Sequence, residues 1–216
     1  NNGALLAAAR NGHLEIVKTL INAEVRDEYK KGAFVGAAWN GHLEIVKAFI
    51  NAGVDVNNGA LLAAARNGHL EIVKVLIIAG ADDNEGAALE VAAGNGHLEI
   101  VKAFINAGAD IHNKTIALIA AARNGHIGVV KVLINAGVDG NRVLEAAVRQ
   151  GNFEIVKVLI NAGVDGNRVL DAAVRQGHLE IVKALINAGA DWNMVLEEDF
   201  LAGVFEYVKK LINAGV

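Results

Sequence analysis

The sequence predicts an all-α protein, a right-handed-type α-solenoid of eight stacked helix-turn-helix repeats joined by short linkers. Three observations carry that expectation. The heptapeptide Gly-His-Leu-Glu-Ile-Val-Lys begins at Gly12, Gly41, Gly68, Gly96 and Gly177, with variants at Gly125, Gly151 and Gly203. An eight-residue, mostly alanine-rich stretch precedes each copy, as from Ala4 to Asn11 and from Ala60 to Asn67. The steps between the glycines are 26 to 29 residues, a period that suits one helix pair and leaves no chain for a separate domain. The repeats then fall near 1–30, 31–57, 58–85, 86–114, 115–140, 141–166, 167–192 and 193–216, and 1–216 reads as a single array.

Repeat one shows why each piece takes its form. The first helix, about Ala4 to Asn11, is short and alanine-rich, as a helix must be when others pack close on both sides. Gly12 supplies the left-handed residue that ends it. The second helix runs from about Leu14 to Asn22: Leu14, Val17 and Ile21 recur at i, i+3 and i+7, and Ile16 and Leu20 widen the stripe. Glu15, Lys18 and Asn22 share the wet face, with Glu15 and Lys18 placed to pair one turn apart. The glycine of Ile-Asn-Ala-Gly closes the second helix in most later repeats, and a linker of five to eight residues follows. Corresponding first helices begin at Ala33, Ala60, Ala88, Ala117, Val143, Val169 and Val195. Neither helix of a pair could bury its apolar surface alone, so the pairs must stack.

The run from Ala60 to Asn84, ALLAAARNGHLEIVKVLIIAGADDN, resembles the ankyrin repeat, and NGHLEIVKAFINAGADIHN from Asn95 is similar to it as well. The resemblance spans all eight repeats. It implies paired helices and a non-enzymatic binding module. It also implies that the two residues before each Gly-His end the first helix and face the concave groove. Two features depart from the family pattern. Its Thr-Pro-Leu-His tetrapeptide is absent, since the chain has no proline, and the repeat is shorter than the usual 33 or so residues. The missing residues come from the linker that forms a projecting β-turn finger in the family. Val138–Arg142, Val164–Arg168 and Ala190–Met194 are five-residue linkers, too short for a full finger though long enough for a tight turn. The helical face is therefore expected to matter more than the fingertips.

On that face the sequence places Arg10 and Asn11, Trp39 and Asn40, Arg66 and Asn67, Asn95 (after Gly94), Arg123 and Asn124, Arg149 and Gln150, and Arg175 and Gln176. Arginine, tryptophan and amide side chains make interface anchors, so this row is the candidate partner-binding site. The competing reading is that these residues solubilise helix ends and were copied with the repeat. The six Gly-His histidines form a ladder rather than a cluster, because stacked helices sit roughly 8–10 Å apart. A structural role, bonding backbone, is expected of them instead of metal binding. His112 falls in a linker.

Composition narrows the function. The chain has no Cys, no Ser and only Thr19 and Thr115 as aliphatic hydroxyls, so the two commonest activated nucleophiles are missing. No catalytic residue, cofactor or metal is assigned. The net charge is −4, and no aromatic stacking pattern accompanies the arginines, which speaks against nucleic acid. No apolar run approaches the ~18 residues of a membrane span. Asn113-Lys114-Thr115 matches a glycosylation sequon, a match close to chance at this length. Glu197, Glu198 and Asp199, with Lys209 and Lys210, read as a polar C-terminal cap. No charged-then-apolar leader opens the chain and no cysteine occurs, which point to an intracellular protein.

The expected function is a non-catalytic module that binds a protein partner through its concave face, where the arginines suit an acidic one. The alternative is a structural, engineered or self-associating repeat scaffold with no dedicated ligand. Asn1-Asn2-Gly3 repeats as Asn57-Asn58-Gly59, so the chain opens at a repeat boundary, and an uncovered flank on repeat one would allow end-to-end association.

Overall fold

A computed structural model describes residues 2–22, 25–56, 58–83 and 86–191. Among them fourteen α-helices follow one another without a strand. The first helices of successive repeats are α1 (Asn2–Arg10), α3 (Asp27–Trp39), α5 (Asn58–Arg66), α7 (Ala87–Gly94), α9 (Ile111–Arg123), α11 (Gly140–Arg149) and α13 (Asn167–Arg175). The second helices are α2 (Leu14–Ile21), α4 (Leu43–Asn51), α6 (Leu70–Ile78), α8 (Leu98–Asn106), α10 (Ile127–Asn135), α12 (Phe153–Asn161) and α14 (Leu179–Asn187). Repeat eight, with its acidic cluster and lysines, and Trp192 lie outside the described residues.

The described residues fall into two compact bodies, up to residue 120 and from residue 121 onward. In the first, α1, α3, α5 and α7 pack side by side, and so do α2, α4, α6 and α8. Leu5, Phe34, Leu61 and Leu89 from the first helices and Val17, Val46, Val73 and Val101 from the second are fully buried. Alanines such as Ala9, Ala38, Ala65 and Ala93 are just as buried and let neighbouring first helices approach closely. Phe34 and Phe49 meet with ring centroids 5.7 Å apart and planes tilted 55°, an arrangement suited to the ring quadrupoles. In the second body α11 packs on α13, α10 on α12 and α12 on α14, around Val130, Leu144, Val156, Leu170 and Val182.

The Glu/Lys pairs form on the wet face as expected: Glu15–Lys18 at 2.8 Å, Glu44–Lys47 at 2.7 Å, Glu71–Lys74 at 2.8 Å, Glu99–Lys102 at 2.7 Å and Glu180–Lys183 at 3.3 Å. Exposed pairs of this kind are worth a few tenths of a kcal/mol each. A longer-range pair joins Lys31 of α3 to Asp55 after α4 at 2.9 Å. Its hydrogen bond and charge hold the Lys31 ammonium above the usual lysine range.

Three linker expectations are corrected. α3 and α9 each run for 13 residues and take in what reads as linker, so His112 lies in the first turn of a helix. Asp110 explains the early start of α9, accepting the Asn113 N–H at 2.7 Å in the manner of an N-cap. In the five-residue linkers, α11 begins at Gly140 and α13 at Asn167. Asp139 accepts from the Asn141 and Arg142 N–H groups at 3.0 and 3.4 Å, and Asp165 accepts from Asn167 at 2.9 Å. Asn113 is 5% exposed and its Nδ2 donates to the Asp83 carbonyl, so the sequon is shut inside the fold. The apolar stripe of repeat one is narrower than expected: Ile16 is 50% exposed, whereas its counterparts Ile45, Ile72 and Ile100 are at most 2% exposed.

Candidate functional site

The histidines and the ends of the first helices form one device. The ring Nε2 of His42 lies 3.0 Å from the Arg10 carbonyl, that of His69 3.0 Å from the Trp39 carbonyl, and that of His97 3.1 Å from the Arg66 carbonyl. Each ring thus bonds the backbone of the preceding repeat, across about 30 residues of sequence. It also lies over the glycine that ends the preceding first helix. A Cβ on Gly41, whose φ is +80°, would stand 2.7 Å from His69 Cε1. Repeat six carries Asn152 in place of the histidine. Its side chain turns to its own helix and accepts the Ile155 N–H at 3.2 Å, and nothing lies within 4 Å of the Cβ position of Gly125.

At Arg10, Trp39 and Arg66 the backbone therefore belongs to the stack while the side chain is exposed. All the residues of the candidate row are exposed: Arg10, Asn11, Trp39, Asn40, Arg66, Asn67 and Asn95 in the first body, and Arg123, Asn124, Arg149, Gln150, Arg175 and Gln176 in the second. Trp39 is 48% exposed, high for so large an aromatic side chain. It borders a hollow of about 380 Å³ lined also by Arg10, Gly32, Val35, Gly36 and Asn40. The two glycines leave α3 bare there, and the Arg10 stem lies where a Cβ on Gly36 would be, 2.8 Å from its Cγ. The hollow offers an aromatic wall, a small apolar floor and a guanidinium.

The amides do not all stand ready in the same way. Asn11, Asn40 and Asn67 each donate Nδ2 to the carbonyl four residues earlier, at 2.8, 2.8 and 2.9 Å, closing the last turn of their own helices. Asn95 donates instead to the Arg66 carbonyl at 3.1 Å. Gln150 and Gln176 have no side-chain hydrogen bond among the described residues.

Two residues of the same face escaped the sequence reading. Arg142 and Arg168 sit in the first turns of α11 and α13, seven residues before Arg149 and Arg175. Seven residues are two turns, so each pair shares one side of its helix. Their signal was the i, i+7 spacing of the arginines, hidden because Val-Asp-Gly-Asn-Arg reads as a turn. In α1, α3 and α5 the equivalent positions, Gly3, Gly32 and Gly59, carry no side chain. The position between the arginines holds Glu145 and Asp171 in the second body but Leu6, Val35 and Leu62 in α1, α3 and α5, and Glu90 in α7.

Among the described residues no helix is long and apolar enough to cross a membrane. The family model for ankyrin repeats, in three copies, matches residues 1–60, 34–115, 61–143, 89–169 and 118–195. Among solved structures the chain is similar to the human ASB11 ankyrin repeat domain. The TM-score is 0.66 and the sequence identity 23%, over 87% of this chain and 98% of that one. No curated protein matches the chain.

Proposed function

The chain belongs to the ankyrin repeat family, and from that premise we propose that it is a non-catalytic module that binds a partner polypeptide through its first-helix face. Ankyrin repeats are in general protein-interaction modules and typically non-enzymatic. One observation supports this face above the others. At Arg10, Trp39 and Arg66 the backbone carbonyl holds the next repeat while the side chain stays exposed. The bond to the next repeat therefore does not depend on the side chain, and what occupies the position is arginine or tryptophan, the types that anchor interfaces. On the second helices α2, α4, α6, α8 and α14 the charges are instead neutralised pair by pair.

The test is affinity capture from cell extract with three chains: the intact one, Trp39→Ala with Arg66→Ala, and the triple variant Arg123→Ala, Arg149→Ala and Arg175→Ala. Circular dichroism checks that all three are folded. A protein held by the intact chain, lost by one or both variants and confirmed by direct titration supports the reading. Capture that is indifferent to both variants overturns it. If nothing is captured and light scattering shows a concentration-dependent oligomer, the scaffold reading replaces it. The half-exposed Ile16 is the observation that favours that second reading.

A further inference from the structure

The first-helix face has different chemistry in the two bodies: α11 and α13 of the second carry two arginines each, where α1 and α5 of the first carry one. In the first body α1 exposes Gly3, Ala4 and Ala7 before Arg10 at its end, α5 exposes Gly59 and Arg66, and α3 exposes Asp27, Glu28 and Lys31 toward its start and Trp39 at its end. In the second body α11 and α13 each carry two arginines and one acid. The acid pairs with the later arginine: Glu145 with Arg149 at 3.4 Å, Asp171 with Arg175 at 2.9 Å. Arg142 and Arg168 are exposed and have no ion-pair partner among the described residues.

These two arginines also stand where a helix least favours a cation. The first turn has the positive end of the helix dipole, which Asp139 and Asp165 just before it offset by accepting backbone N–H groups. Neither arginine side chain forms an ion pair with them, so each guanidinium stays open to a ligand. Resting on the reading above, we infer that the α11/α13 face is a docking site for an extended acidic polypeptide. Its unpaired anchors are Arg142 and Arg168, and Gln150 and Gln176 offer amides to the peptide backbone.

Spacing sharpens the occupant. α11 and α13 pack directly on each other, and packed helices have axes roughly 8–10 Å apart. A polyproline II chain advances about 3.1 Å per residue with three residues per turn, so its residues i and i+3 share one side. Such a chain crossing the two helices therefore meets equivalent arginines at every third residue. The ligand is a segment with carboxylates at i and i+3, not a block of contiguous acids. Polypeptide is favoured over nucleic acid because Phe153 is the only Phe, Tyr or Trp among the described residues of this body, and it sits on the second helix, which leaves bases no platform to stack on.

The experiment is an NMR titration of the full chain with a peptide of Glu-Gly-Ser repeats. The controls are the matching Gln-Gly-Ser peptide, a composition-matched peptide with its glutamates in one block, and a single-stranded oligonucleotide. The expected result is saturable binding of the spaced peptide, weakened by salt, absent with glutamine and weaker with the block. It falls about tenfold in the double variant Arg142→Gln, Arg168→Gln. That variant should fold as the parent does, because both side chains are exposed and form no ion pair among the described residues. No binding of the spaced peptide, equal binding by the double variant, equal binding of the block peptide, or tighter binding of the oligonucleotide would each overturn the inference. A partner still captured by the intact chain and lost with the Trp39 and Arg66 substitutions would leave the broader reading standing.

Discussion

The glycine before each histidine illustrates how one position can be constrained twice. At Gly41 the left-handed backbone excludes most side chains, and the His69 ring occupies the space a Cβ would need. At Gly125 the backbone is as left-handed, with φ +76°, but the space is open because Asn152 has replaced the covering histidine. The two sites separate the contributions. Gly125→Ala should cost about 1–2 kcal/mol, the left-handed penalty for a residue with a Cβ. Gly41→Ala should cost about 1 kcal/mol more, because displacing the ring also weakens the bond from His69 to the Trp39 carbonyl. Urea denaturation of both variants measures the difference. Equal losses would mean the ring moves aside freely and the His69 bond adds nothing. Combining Gly41→Ala with His69→Asn should cost less than the sum of the two single changes, since both remove the same contact.

At the scale of the element, helix pairs were legible in the sequence and helix starts were not. The pairs were legible because an apolar stripe at helical spacing returns with every repeat and tolerates little else. The starts were hidden because Asp, Gly and Asn serve both turns and N-caps. Val138–Arg142 reads as a turn, yet Asp139 takes up two backbone N–H groups and the chain is helical from Gly140. The misreading cost Arg142 and Arg168 their place in the site. Asn167 shows a second role the sequence does not announce: its Oδ1 accepts the Asp191 N–H at 2.6 Å, one repeat onward. The equivalent Oδ1 of Asn141 is buried and has no partner among the described residues. Asp139→Ala should therefore cost about 1 kcal/mol, the usual loss on removing an N-cap. It should also loosen the first turn of α11, where Arg142 sits. Thermal unfolding reads the first effect, and the NMR signals of residues 140–143 read the second. An unchanged first turn would show that packing of Val143 and Leu144, not the cap, starts the helix.

The whole molecule is where repetition conceals most. The division near residue 120 falls inside α9, in a stretch whose sequence from Ala117 to Asn124 is nearly that from Ala60 to Asn67. Local composition carries no trace of it. Stability in a stack of near-identical pairs is a sum of repeat terms and nearest-neighbour interfaces, so a defect is felt most by adjacent repeats and fades with distance. Phe34 is the place to introduce one: it is fully buried, packs on Phe49 and belongs to a helix flanked by α1 and α5. Phe34→Ala should cost about 3–5 kcal/mol. Hydrogen exchange followed by mass spectrometry locates the loss. Protection should fall most in α3 and α4, clearly in α1 and α5, and least within the first body in α7 and α8. The helices from α11 to α14 should keep their parental rates. Loss of protection at one common rate from α1 to α14 would instead show that the chain opens as a single cooperative unit. In that case the difference in surface chemistry between the two bodies would have no counterpart in their stability.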